Sequence, residues 1–286
     1  MGSRVVLRLY PLFLACLLSV APLVAARAQD EISSRLIEDV KSTVEEIAKL
    51  HPPEESYYIG IGGSPTPVIA LMQEAGLSAA NVPASRSGAL VGVAKNNAQY
   101  HENLFRHLDQ FIPKPEVLGN RKLVVMDFTY SGASLMNFKD ALEYYFKERG
   151  LHLPHQFVAL RSSQTQGQYL EEGVQHIYLP KYLEEVLSNN SGFKQVYREY
   201  DSWEASKTQA YRPPQQRARY LELRARFGLA LRQDPKFLER IKRTHFVRPQ
   251  HENVNMTTNA DTSGNTGSRE KRGCVIGFLR RIFTKR

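Results

Sequence analysis

Cysteine is nearly absent: Cys16 and Cys274 are the only two in 286 residues. Cys16 lies in an N-terminal apolar run, so a chain trimmed there keeps one thiol, a scaffold of internal disulfides is excluded, and packing must supply the stability. Cys274 leaves three readings open: pairing between chains, carrying a lipid, or sitting unused in a tail. Long apolar stretches are scarce too. Tyr10–Val24 follows Arg4 and Arg8 and ends before Ala26-Arg27-Ala28, a small-x-small pattern. It is short for a membrane anchor, and Met1–Ala28 reads as a secretory signal peptide cleaved after Ala28, with a secreted or periplasmic destination. Lipidation at Phe13-Leu14-Ala15-Cys16 does not fit, because the apolar run continues past Cys16. There is no Gly-Lys-Ser/Thr, which excludes a Walker loop. His101 and His107 lack the one-turn spacing that puts two zinc ligands on one helix face, so structural or solvated histidines are expected.

What is present can build a core: 42% of residues are apolar, enough to exclude wholesale disorder. The formal charge of +9 is uneven, its surplus lying mostly beyond Arg212. That asymmetry points to an anionic partner for the C-terminal part and says little about the rest.

The chain is organised around Lys122–Leu135, K-L-V-V-M-D-F-T-Y-S-G-A-S-L. Leu123–Met126 is a short apolar run rich in β-branched residues, expected as a buried strand that Asp127 ends. Phe128–Ser134 then forms a polar turn, and Leu135, Phe138, Leu142, Tyr145 and Phe146 carry helical spacing. Open α/β sheets place ligands at the carboxyl edge of such strands, where N–H groups at a helix start hold anions. Ser131, Gly132 and Ser134 suit that task, the glycine by allowing close backbone approach and the hydroxyls as donors.

The string V-V-M-D-F-T-Y-S-G-A-S resembles the ribose-phosphate-binding motif of type I phosphoribosyltransferases, and Leu118–Lys122 (L-G-N-R-K) resembles its lead-in. In that family an acidic pair engages the ribose hydroxyls and a Thr/Ser-Gly-x-Thr/Ser loop wraps the 5′-phosphate. The resemblance implies Asp127 in the second acidic place and Thr129, Ser131, Gly132, Ala133 and Ser134 as the phosphate loop. It places Asp127 and Tyr130 at the catalytic positions, Tyr130 standing where the purine-using branch has a carboxylate base. Met126 replaces the first acid and cannot hydrogen-bond. The implied reaction is pentosyl transfer, displacement of pyrophosphate from an activated ribose by a nitrogen nucleophile, with Mg²⁺ held through Asp127.

A second glycine-rich turn follows the strand candidate Tyr57–Ile61 and precedes a helix at Val68–Ala75. It is no dinucleotide fingerprint, because prolines replace the third glycine and no acid follows at the right distance. Pro67 fits a first helical turn. Two readings remain: a plain turn, or, by resemblance to the same family, a pyrophosphate loop built from Gly62, Gly63 and Ser64 with Arg86 beyond it.

The remaining rhythm agrees. Asp30–Leu50 is expected as an amphipathic helix capped by Asp30 and stopped by His51-Pro52-Pro53, and His101–Ile112 as another. Strands are expected at Ala89–Val93, Gln156–Leu160 and Val174–Leu179, and a helix at Lys181–Leu187. Arg161, at a strand end, is a candidate substrate contact. Alternating strands and helices predict an α/β fold with a mostly parallel central sheet of phosphoribosyltransferase type and helices on both faces.

Residues 29–190 are read as that domain and 191–248 as a basic helical extension, with Leu221, Ala225, Leu229 and Leu231 as its apolar side. Interleaved aromatics and arginines there suit nucleic acid, yet no reading motif accompanies them, and a helical cap over the sheet with a solvated basic face is expected. Residues 249–268 form a polar linker without a core. Residues 269–286 combine an apolar face with Lys and Arg, suiting an anionic membrane surface or an acidic partner. Asn189-Asn190-Ser191 and Asn255-Met256-Thr257 match the glycosylation triplet. Two functions follow: an exported phosphoribosyltransferase-like protein that binds a phosphorylated ribose or nucleotide, or a secreted interaction protein acting through its basic C-terminal region.

Overall fold

The computed structural model describes residues 32–84, 95–162, 169–188, 191–203 and 210–243. Outside these lie Met1–Ala28, Asp30, Arg86, Ala89–Val93, Asn189 and Asn190 of the first glycosylation triplet, the whole of the second, Cys274, the 249–268 linker and Arg269–Arg286. Five strands form one sheet in the order β2-β1-β3-β4-β5, where β1 is Ser56–Ile61, β2 Ala79–Val82, β3 Lys122–Phe128, β4 His155–Arg161 and β5 Gln175–Tyr178. Every pairing is parallel, with Ile59 opposite Val125 and Val125 opposite Phe157 in the middle of the sheet. The expected α/β class with a parallel sheet is therefore present.

Parallel strands need crossovers, and helices supply most of them. α1 (Ser34–Leu50) precedes the sheet, α2 (Thr66–Glu74) joins β1 to β2, and α3 (Ala98–Phe111) and short α4 (Pro115–Leu118) lie between β2 and β3. α5 (Ala133–Arg149) joins β3 to β4, and α6 (Lys181–Leu187), α7 (Gly192–Tyr197), α8 (Ala218–Gln233) and α9 (Pro235–Arg243) follow β5. Alternation along β3 divides the core. Val124, Met126 and Phe128 join a cluster with α1, α2 and α6 to α9, while Leu123 and Val125 join one with α3 and α5. Leu123 to Met126 are all fully enclosed, which is why that run has no polar alternation.

Four local details differ from the sequence expectation. α1 is capped by Ser33, whose Oγ accepts the Leu36 N–H at 3.1 Å, not by Asp30. β3 runs through Asp127 to Phe128 rather than ending at Asp127. β2, A-A-N-V, was hidden by its small and polar residues; the buried Asn81 side chain donates to Gly62 O at 2.9 Å and Thr66 Oγ1 at 3.2 Å. The buried side of α8 is Tyr220, Leu223, Phe227 and Leu231, whereas Leu221 and Leu229 are 54% and 43% exposed. Two apolar stripes at helical spacing competed, and the one carrying aromatic rings turned inward because it removes more apolar area from water. α8 lies against α2, where Tyr220 Oη donates to Gln73 Oε1 at 2.5 Å and Arg224 pairs with Glu74 at 2.5 Å.

Candidate functional site

The site lies where the strand order reverses, between β1 and β3, at their carboxyl ends, the place where open α/β sheets form a crevice. A cleft of about 610 Å³ opens there, within the size range of small-molecule pockets. Gly62, Gly63 and Ser64 line it from the loop after β1, and Asp127, Thr129, Tyr130, Ser131 and Ser134 from the loop after β3. The structure thus brings the two glycine-bearing loops together.

The β3 loop is held by its own hydrogen bonds. Thr129 N–H donates to Leu160 O at 2.9 Å, Gly132 N–H to Thr129 Oγ1 at 2.7 Å, and Tyr169 N–H to Ser131 O at 2.8 Å. In the first two of these Thr129 donates through its backbone N–H and accepts through its hydroxyl oxygen. Gly132 and Ala133 sit behind the lining rather than on it. Gly132 caps α5 at φ +94°, and a Cβ built there would stand 2.6 Å from Leu170 Cγ. Leu170, then, is what the structure sets against the glycine. The loop ends at the start of α5, whose first-turn N–H groups and positive dipole end favour an anion.

A third wall comes from α7. Phe193 and Tyr197 are buried one turn apart with ring centroids 4.6 Å from each other, which turns the next stripe, Lys194 and Arg198, onto the cleft. The segment packs against Gly63: a Cβ there would be in ordinary contact, 3.4 Å from Arg198 Cβ and 3.7 Å from Lys194 Cε. Arg198 Nη1 donates to Ser202 Oγ at 2.6 Å, while its enclosed Nε has no acceptor, an orphaned donor beside the cavity. Asp201 also lines the cleft and lies 3.9 Å from Arg217.

No known family, curated protein or solved structure matches the chain. What the site can do must be read from its chemistry. The Asp127 carboxyl is pushed up to about 7 by burial, opposed by the Lys194 charge and a hydrogen bond from its neighbour's backbone. Burial in turn lowers Lys194, and the Asp127 charge resists. Tyr130, 41% exposed at the mouth, packs edge-on to Phe128 with centroids 5.1 Å apart. Burial first and then the Glu184 charge raise its phenol above the ordinary value, which makes it a poor base near neutrality.

The Mg²⁺ implied by the family resemblance does not fit these residues well. Mg²⁺ wants ionised oxygen donors in an octahedral shell. Met126 is fully enclosed in the core, and burial holds Asp127 toward its protonated form, with the Lys194 charge already acting on it. Among the described residues no group of three or more acidic, histidine or cysteine side chains could hold a metal.

Other candidates lie elsewhere. Arg161 is buried with Nη1 2.9 Å from His176 Nδ1 and does not line the cleft. His107 is buried, stacked on Trp203 at 3.7 Å, with Nε2 2.9 Å from Pro83 O, and burial lowers it to about 3. It is a neutral structural histidine. Lys194, Arg198 and Glu199 were not singled out in the sequence. The signal was there in G-F-K-Q-V-Y-R, where an aromatic pair one helical turn apart adjoins a cationic pair with the same spacing.

Glu199 yields a pH prediction. It is 3% exposed, with Oε1 accepting from Gln216 Nε2 at 3.2 Å and Oε2 left without a partner. Burial pushes it up to about 7, against smaller pulls from Gln216, Tyr200, Tyr220 and Arg224. A folded state that keeps this proton above the ordinary carboxyl value binds more protons than the unfolded chain across that interval. Stability therefore falls as pH rises from about 4.5 to about 7, by something on the order of 3 kcal/mol for this group. Asp127 acts in the same sense. Glu199→Gln is expected to shrink that fall and to be more stable than the parent near neutrality, as measured by urea unfolding at about pH 5 and about pH 8. A variant less stable than the parent at the higher pH would contradict the account.

Proposed function

We propose that the cleft binds a phosphorylated ribose or nucleotide, with the phosphate on Thr129, Ser131 and Ser134 at the start of α5 and a ribose hydroxyl on Asp127. The observation that carries this reading is convergence: two loops suited to phosphate, one helix start and two cations meet in a single cleft. The partly protonated Asp127 suits a sugar hydroxyl, since a carboxyl in either state can share a hydrogen bond with it. The motif resemblance points the same way. Binding is better supported than pentosyl transfer, because Met126 is enclosed in the core and Tyr130 offers no base near neutrality.

Calorimetric titration with ribose 5-phosphate tests the proposal. Saturable binding is expected, weakened by about 10- to 100-fold in Ser131→Ala, the loss of one neutral-donor hydrogen bond to a charged acceptor. Pyrophosphate in the same cell asks whether the Gly62–Ser64 loop takes a second phosphoryl group. Absence of binding for both ligands, in a chain that melts cooperatively, would end the proposal.

A further inference from the structure

We infer that Lys194 takes the place of a divalent cation in this cleft, so that a phosphorylated ligand binds without metal. The inference rests on the phosphate-binding reading above and adds to it the source of positive charge. A sugar phosphate brought into a weakly screened cleft beside an enclosed, partly ionised carboxyl adds negative charge there, and a nearby cation offsets it. Where a metal does this, it bridges a carboxylate and the phosphate oxygens. Here the enclosed acid is Asp127, and Lys194 lines the same cleft as the cation whose charge acts on it.

The placement is built rather than incidental. Phe193 and Tyr197 anchor α7 in the core, and the Lys194 stem packs over Gly63 of the β1 loop, in the cleft that the two phosphate-suited loops share. Arg198, one turn on, adds a guanidinium whose Nε is enclosed and unsatisfied. A metal seated on Asp127 would share that corner with an ammonium of like charge. Lysine suits the role as a compact point charge with three donors, and arginine adds the planar fork that matches a phosphate.

The test titrates ribose 5-phosphate into the full chain twice, once in EDTA and once in millimolar Mg²⁺. The parent is expected to bind in EDTA with an affinity within about twofold of that in Mg²⁺. Lys194→Met, which keeps the stem and removes the charge, is expected to weaken binding in EDTA by about 10- to 100-fold, and Lys194→Arg to keep most of it. Arg198→Gln should weaken binding equally in both solutions. Thermal melts of each variant confirm folding, and Lys194→Arg keeps the experiment decisive if Lys194→Met unfolds. Binding by the parent in Mg²⁺ alone overturns the inference and leaves the phosphate reading standing. Undiminished binding by folded Lys194→Met in EDTA overturns it too. No binding by the parent in either solution overturns the phosphate reading and the inference with it.

Discussion

Gly132→Ala is expected to destabilise the protein by about 2–5 kcal/mol and to abolish measurable ribose 5-phosphate binding, although it removes no polar atom. Two physical terms add. At φ +94° an L-residue meets the left-handed penalty, about 1–2 kcal/mol. The new methyl group also lands 2.6 Å from Leu170 Cγ and 3.1 Å from the Leu170 backbone N, so either the loop or the Leu170 segment must move, at about 1–3 kcal/mol more. The loop carries Thr129, Ser131 and Ser134, and its displacement misplaces every donor offered to the phosphate. Pairing the change with Leu170→Ala separates the terms: the double variant should recover the overlap part and keep the backbone part, a non-additive result readable by urea unfolding. If Gly132→Ala unfolds at the parent's urea midpoint, the loop is not held in the conformation described.

Phe227→Ala is expected to lower stability by about 3–5 kcal/mol, while Leu221→Ala on the same helix changes it by no more than about 0.5 kcal/mol. Phe227 is fully enclosed, in one apolar cluster with Val40, Met72 and Val124, whereas Leu221 faces solvent. The contrast is large because α8 completes the core on one face of the sheet instead of decorating it. Paired denaturation curves of the two variants check this. Equal losses at the two positions would mean the helix is turned otherwise.

Four of the five strands were legible: Tyr57–Ile61, Leu123–Met126 and Gln156–Leu160 as the short apolar runs of a sheet covered on both faces, and Val174–Leu179 as an edge strand that alternates, with Ile177 buried between exposed His176 and Tyr178. β2 lacks either form, and its pairing to β1 depends on tertiary context that A-A-N-V does not announce. The loop of Asp127–Ser134 was legible because spacing within one strand-loop-helix unit is local. Lys194 and Arg198 were not, because they reach the cleft only through the packing of Phe193 and Tyr197 into a core assembled from distant segments. The orientation of α8 failed to show for a related reason. Periodicity defines an apolar stripe but not which of two neighbouring stripes the rest of the core will accept.

The walls of the cleft are contributed by residues 61–64, 83–84, 127–131, 134 and 194–202, segments well separated along the chain. Neither a nascent chain that has not yet reached α7 nor a proteolytic fragment ending before it can own the complete binding surface. Under the proposed phosphate reading, ligand uptake becomes a readout of finished assembly, and mass action through that uptake favours molecules that have completed it over those that have stalled partway.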